Sequence, residues 1–271
     1  MSNESTVKTF IVATALCVVC AIIVSLSDVA LKGMQLRNKA LDKQVNILRA
    51  AGLVEPTGKA TAEQATELFA NAKAVLVDMK TGAIVEEVAA TDADSLKIDP
   101  TTIPLDKAQD IAKIKELPSQ TVVYLFNDAS GALDTVVLPI QGTGLWSTLY
   151  GFISLKGDLT TIGRIVFYEH GETPGLGGEI SNPNWTAKFE GKKAFDETGN
   201  AVVKVIKGTV DPTSAQAAYQ VDGISGATLT CNGVNDAVWF WLGENGFGAF
   251  LNGLKNGNAV PQSNATDASE K

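Results

Sequence analysis

The sequence predicts an α+β domain carried behind a single membrane-spanning helix, with a helical stalk between the two. Three observations predict it. Residues 9–27 form one uncharged apolar run, long enough for the ~20 residues that a bilayer crossing needs. Beyond it, short apolar runs recur as strand, turn and strand, the mark of a half-open antiparallel sheet with helices packed on it. Late in the chain Val234, Ala237, Val238, Trp241 and Leu242 fall at helical spacing, so that helix has one buried face. The expected divisions are a tail (1–8), a span (9–31), a stalk (32–55), the folded domain (56–255) and a polar, disordered tail (256–271).

Composition narrows the function classes. The 22 Lys and Arg against 30 Asp and Glu leave a formal net charge of −8, and an acidic chain without a basic run is a poor partner for nucleic acid. His170 is the only histidine, which argues against a multi-histidine metal site. Cys17 and Cys20 form a C-x-x-C inside the apolar run, where two small packing residues on a membrane helix suit the spacing better than redox or metal work. Cys231 then has no soluble partner, and no disulfide framework exists.

The elements follow in order. A cleaved signal would have an apolar region of ~7–15 residues; the longer run 9–27, followed by more helix-like sequence, reads as a retained anchor. Met34, Leu41 and Leu48 lie seven apart with charges between them, the pattern of a helical stalk that Gly52 can stop. A second helix over 61–72 starts at a Thr cap. Strands are expected over 74–79 and 84–86 about a turn at 80–83, then a polar loop over 89–100. A hairpin joins 121–126 to 133–140 through Asn127-Asp128-Ala129-Ser130-Gly131. Further strands are expected over 152–157, 162–168 and 201–208.

Three glycine-bearing stretches carry the chemistry. Gly142-Thr143-Gly144 ends a strand. No third glycine follows at dinucleotide-fingerprint spacing, so a strand-to-helix turn with Trp146 in the core suffices. Glu172-Thr173-Pro174-Gly175-Leu176-Gly177 suits a type II turn with Pro174 and Gly175 at its corners, either a plain turn or a place where backbone lies flat against a ligand. Asp222-Gly223-Ile224-Ser225-Gly226-Ala227-Thr228 precedes the amphipathic helix. Ser225 is a candidate N-cap for a helix starting at about Gly226. Thr228 would then sit in the first turn, where free N–H groups favour an anion such as phosphate. On spacing alone a plain helix cap is the favoured reading.

The order of residues adds a resemblance. Asp-x-x-Ser-Gly-Ala-Thr resembles the flavinylation motif of the FMN-binding domain family, and Glu-Thr-Pro-Gly-Leu-Gly resembles that family's second hallmark. The resemblance implies that a flavin transferase joins FMN to Thr228 through a phosphoester, with Asp222, Ser225, Gly226 and Ala227 as the recognition frame. It implies that Leu176, with the backbone of Gly175 and Gly177, borders the isoalloxazine ring, and that Glu172 and Thr173 offer it polar contacts. Trp146 belongs to the same expected set. Lys207 could neutralise the flavin phosphate or be a solvated edge-strand lysine.

With the anchor and stalk included, the chain resembles the C-subunit family of bacterial Na+-translocating NADH:quinone oxidoreductases. That implies covalent FMN, no metal in this chain, and electron relay from an iron–sulfur centre in neighbouring membrane subunits to the flavin of the B subunit. Expected partners are the other subunits, especially B, D and E, the inner membrane, and the flavin transferase during maturation. Lys8 alone precedes the span while Lys32, Arg37, Lys39 and Lys43 follow it. Charge counting therefore puts the large domain in the cytoplasm; the resemblance puts it in the periplasm, and the expectation follows the resemblance. The runner-up is the G subunit of Rnf complexes. Other classes are a flavin-free anchored binding module and a hydrolase using His170 with Ser225 or Thr228.

Overall fold

The structure, a computed structural model, describes residues 6–58, 60–70 and 72–257. Most of the expected disordered tail lies outside these residues. The chain forms two compact units, 1–44 and 45–271.

The first unit is the bulk of one uninterrupted helix, α1 (Thr6–Ala50). Its apolar stretch is long and apolar enough to cross a membrane. Cys17 and Cys20 are both exposed on it, as side chains facing lipid would be. The predicted span and stalk thus run as one helix.

The second unit begins inside α1. Val45, Ile47, Leu48 and Ala50 are buried, so the last turns of the expected stalk belong to the domain core. Gly52, at φ +81°, lets the chain leave the helix. Helix α2 (Ala62–Phe69) is shorter than expected, but its start is as read: Thr61 and Gln64 form a reciprocal capping box.

Six antiparallel strands make the main sheet: β1 (Ala72–Asp78), β2 (Ile84–Ala89), β5 (Gln120–Asn127), β6 (Leu133–Thr143), β7 (Thr148–Lys156) and β8 (Ile162–Glu169), in the order β2-β1-β5-β6-β7-β8. Two short strands, β3 (Thr102–Pro104) and β4 (Glu116–Pro118), pair separately. The stretch expected as a loop over 89–100 contains a 3-10 turn, Ala90–Ser95. At the sheet's end β2 exposes Glu86 and Glu87 and pairs on one side only, with β1.

Both faces of the central strands are covered, which is why they read as continuous apolar runs. On one face Phe69 of α2 sets its ring edge-on to Tyr124 and Phe126, with centroids 6.0 and 6.1 Å apart. On the other, Val123, Val136, Leu138 and Ile153 join Val234, Val238 and Trp241 of α4 (Thr228–Leu242) in one buried cluster. A side chain at Gly142 of β6 would put its Cβ 2.7 Å from that of Ala237; the missing side chain is what lets α4 lie so close to the sheet.

The expected strand over 201–208 is reduced to β9 (Lys204–Val205), paired in parallel with β10 (Gln220–Val221). The reason is local. The Val203 carbonyl and both backbone groups of Val205 go to side chains of α4 instead of to a neighbouring strand. Trp239 Nε1 donates to the Val203 carbonyl (2.7 Å), and Asn235 both accepts from Val205 N–H (2.7 Å) and donates to its carbonyl (3.0 Å). Trp241 Nε1 donates to Gln141 (2.7 Å). Trp239, off the main apolar stripe, thereby meets this second layer, and Phe240 is buried in the core cluster, edge-on to Trp241. Helix α3 (Pro183–Thr186) and helix α5 (Gly248–Lys255), which the sequence pattern did not reveal, complete the domain.

Candidate flavin site

The amphipathic helix starts two residues later than the sequence suggested. Thr228 is its first residue, and the preceding position is Ala227, not Ser225. Ser225 is exposed and caps nothing; the chain turns at Gly226 (φ +75°), a conformation that leaves Ser225 outside the helix. Ala227 has no side-chain acceptor. Among the described residues nothing accepts a hydrogen bond from the backbone N–H of Thr228, Leu229 or Thr230. The first turn of a 15-residue helix thus keeps its donors free beside the exposed hydroxyl of Thr228, a donor set that suits a phosphate.

Asp222 frames this turn from below. Its carboxylate accepts from Lys188 Nζ and from Val210 N–H, each at 2.7 Å, and its carbonyl accepts from Trp185 Nε1 at 2.8 Å. The Lys188 ammonium, then the Val210 N–H, hold the Asp222 carboxyl below the usual carboxylate range against some desolvation. Lys207 lies on the strand-like segment beside the motif: Ile206 N–H donates to Val221 and Gly223 N–H to Gly208. Its side chain is exposed, with no ion pair among the described residues.

The Gly-x-Gly stretch does not lead into a helix. It is the hairpin turn between β6 and β7, closed by Gly144 N–H to the Ser147 carbonyl (2.8 Å). Trp146 sits at its tip, not in the core, and is 71% exposed. The second loop forms the expected turn, with Gly175 at φ +75° and Leu176 N–H donating to Thr173. Thr173 and Gly175 are exposed, and Gly177 is buried. A Cβ at Gly226 would touch Leu176 Cδ2 at 3.0 Å, so this loop borders the threonine turn.

Glu172 departs from expectation. It is not offered to a ligand but turned inward, 5% exposed. Its carboxylate accepts from the N–H groups of Leu145 (3.2 Å), Trp146 (2.8 Å) and Ser147 (3.3 Å) and from the hydroxyl of fully buried Thr230 (2.5 Å). Burial pushes this carboxyl up, but the Thr230 hydroxyl and the three N–H groups outweigh it, and the group titrates below its ordinary value. Thr230 was missed because its only signal is the second Thr of Ser-Gly-Ala-Thr-Leu-Thr.

Around Thr228 the three stretches present an apolar apron. Leu145 and Leu176 are each 45% exposed and Leu229 59%, with Trp146 beside Leu145 in the same turn. A cavity of about 350 Å³ continues from it, lined by Lys113, Leu145, Leu229, Asn232, Asp236 and Trp239. Thr228, Asn232, Asp236 and Trp239 share one side of α4 by helical spacing. Desolvation raises the Asp236 carboxyl, offset in part by the Lys113 charge. His170 takes no part: Nε2 lies 3.1 Å from Ser181 Oγ and Nδ1 accepts from Glu172 N–H, so neither nitrogen serves Ser225 or Thr228.

The family model described as "FMN-binding domain" matches residues 144–243, the segment from the Gly144 turn to the end of α4. The chain is 47% identical over 261 residues to the C subunit of the Na(+)-translocating NADH-quinone reductase of Pseudomonas aeruginosa, an alignment spanning 95% of this chain and 99% of that one. It is 41% identical to the C subunit of the same reductase from Yersinia pestis, over 94% of this chain and 96% of that one. The crystal structure of Shewanella oneidensis NqrC superposes with a TM-score of 0.69 at 36% identity, over 79% of this chain and 97% of that one. The chain belongs to the family of Na(+)-translocating NADH-quinone reductase C subunits.

Proposed function

We propose that this chain is the flavin-carrying electron relay of a Na+-translocating NADH:quinone oxidoreductase, with FMN joined through its phosphate to Thr228 Oγ1. The observation that carries it is Thr228: an exposed hydroxyl on the first residue of α4, beside three first-turn N–H groups that no described residue uses. A phosphoester there keeps a negative charge where the helix dipole favours one, by about 0.3–1 kcal/mol. FMN, when bound, supplies reversible electron uptake and release at a site open to partners. The chain's own residues do the rest. Leu145, Leu176 and Leu229 offer an apolar face, Trp146 adds an aromatic edge, and Asp222 with Lys188 braces the turn. Lys207 supplies a positive charge on the adjoining segment. Exposed Ser225 and Gly226, with buried Ala227 behind them, form the small frame that a flavin transferase reads. Thr173, Gly175 and Gly177 shape the bordering loop.

In this reading electrons arrive from an iron–sulfur centre held by neighbouring membrane subunits such as D and E, and leave for the flavin of the B subunit. The domain faces the periplasm across the inner membrane, anchored by α1. Co-expression with a flavin transferase, followed by intact-mass measurement, tests the carrier: an unmodified polypeptide would overturn it. A C-terminal alkaline phosphatase fusion is expected to be active and a fluorescent-protein fusion dark; the reverse pattern overturns the orientation.

A further inference from the structure

Glu172 joins three segments that are remote in sequence: its own loop, the Leu145-Trp146-Ser147 tip, and the first turn of α4 through Thr230. The exposed residues of the site alternate with what this carboxylate holds. The N–H of Trp146 points in and its indole stays out; Thr230 points in and Leu229 stays out. A Cβ at Gly144 would lie 2.7 Å from Glu172 Oε1, so the tip closes directly onto the carboxylate.

We propose that Glu172 and Thr230 are a positioning pair, a buried clamp that fixes the tip carrying Leu145 and Trp146 against the helix turn carrying Thr228. The inference rests on Thr228 being the attachment point. Glu172 is 5% exposed and Thr230 fully buried, so neither presents a surface that a transferase or a flavin ring reads directly. Any effect of changing them on flavin must pass through the placement of the groups they hold. Both carboxylate oxygens are needed, because Oε1 takes Trp146 and Ser147 while Oε2 takes Leu145 and Thr230. An amide nitrogen cannot accept, so glutamine preserves the volume and breaks half the clamp.

The test uses the full chain in its membrane, co-expressed with a flavin transferase. Thr230→Val, which loses one hydrogen bond to a charged group, is expected to slow flavin incorporation about tenfold, and Glu172→Gln, which loses two, at least as much, read as in-gel flavin fluorescence against time. Thr230→Ser, which keeps the hydroxyl, is expected to restore it. In the flavin-free chain, acrylamide quenching assigned to Trp146 by comparison with Trp146→Phe is expected to change in the Gln and Val variants. The fine structure of the bound flavin's visible band is expected to blur in the same two. If only melting temperature falls while incorporation, quenching and band shape match wild type, the clamp is mere scaffolding and the proposal is overturned. Should Glu172→Gln fail to fold, the Thr230 pair decides, and identical behaviour of Val and Ser overturns it. Flavin persisting in Thr228→Ala would instead sink the attachment reading.

Discussion

Thr228→Ala is expected to abolish covalent flavin completely, leaving a polypeptide of unmodified mass that folds as the wild type does. Thr228 is exposed at the first position of α4, where alanine is the better helix former by a few tenths of a kcal/mol, so the loss is chemical and not structural. The side-chain oxygen that would bond to phosphorus is gone, and with it only an exposed methyl. The free N–H groups of the turn remain, and they can still attract a loose phosphate, but nothing fastens it through denaturation. On the relay proposed above, NADH is then expected to leave the flavin of the B subunit oxidised in the assembled complex. Fluorescence on a denaturing gel of the alanine variant would show that another residue carries the group, and rapid reduction of the flavin on the B subunit would remove this chain from the electron path.

Asn235→Ala is expected to have the largest effect on stability. Asn235 is a buried polar residue whose side chain bonds, among the described residues, only to the N–H and carbonyl of Val205. Alanine strands both, at ~1–3 kcal/mol for each unsatisfied group, or ~3 kcal/mol together if the segment partly relaxes. For a domain of about 200 residues that lowers the melting temperature by roughly 10 °C. A thermal melt followed by near-ultraviolet circular dichroism checks it; a shift smaller than ~2 °C would mean that Val205 finds other partners. At low temperature the variant is still expected to accept flavin, because Asn235 lies two turns beyond Thr228 on α4.

What could be read from the sequence was what short-range pattern encodes. The apolar run, the Asn127–Gly131 turn and the stripe from Val234 to Leu242 each report their own neighbourhood, and the structure places them as expected. The family-named cofactor and the loop around Leu176 followed from residue order. Other features depended on residues far apart. Glu172 turns inward because of Thr230, 58 positions later, and a carboxylate in a glycine-rich loop looks like a ligand contact until that partner is seen. The 201–208 stretch has strand-forming residues, yet Trp239 and Asn235 take the backbone groups that a neighbouring strand would have used. Ser225 has the chemistry of a helix cap, but Gly226 turns the backbone before it can act as one.

The paired glutamates of β2 bear on how copies of this protein share a crowded bilayer. Should two copies bring these outermost strands together, the exposed Glu86 of each would meet its counterpart as a like charge, while Glu87 is held by Lys73 of β1 at 2.6 Å, and the two Glu86 carboxylates would repel before main-chain pairing could begin. Solitary behaviour is thus written into the rim of the sheet, at the opposite end of the strand order from β8, whose last residue leads into the Glu172 loop.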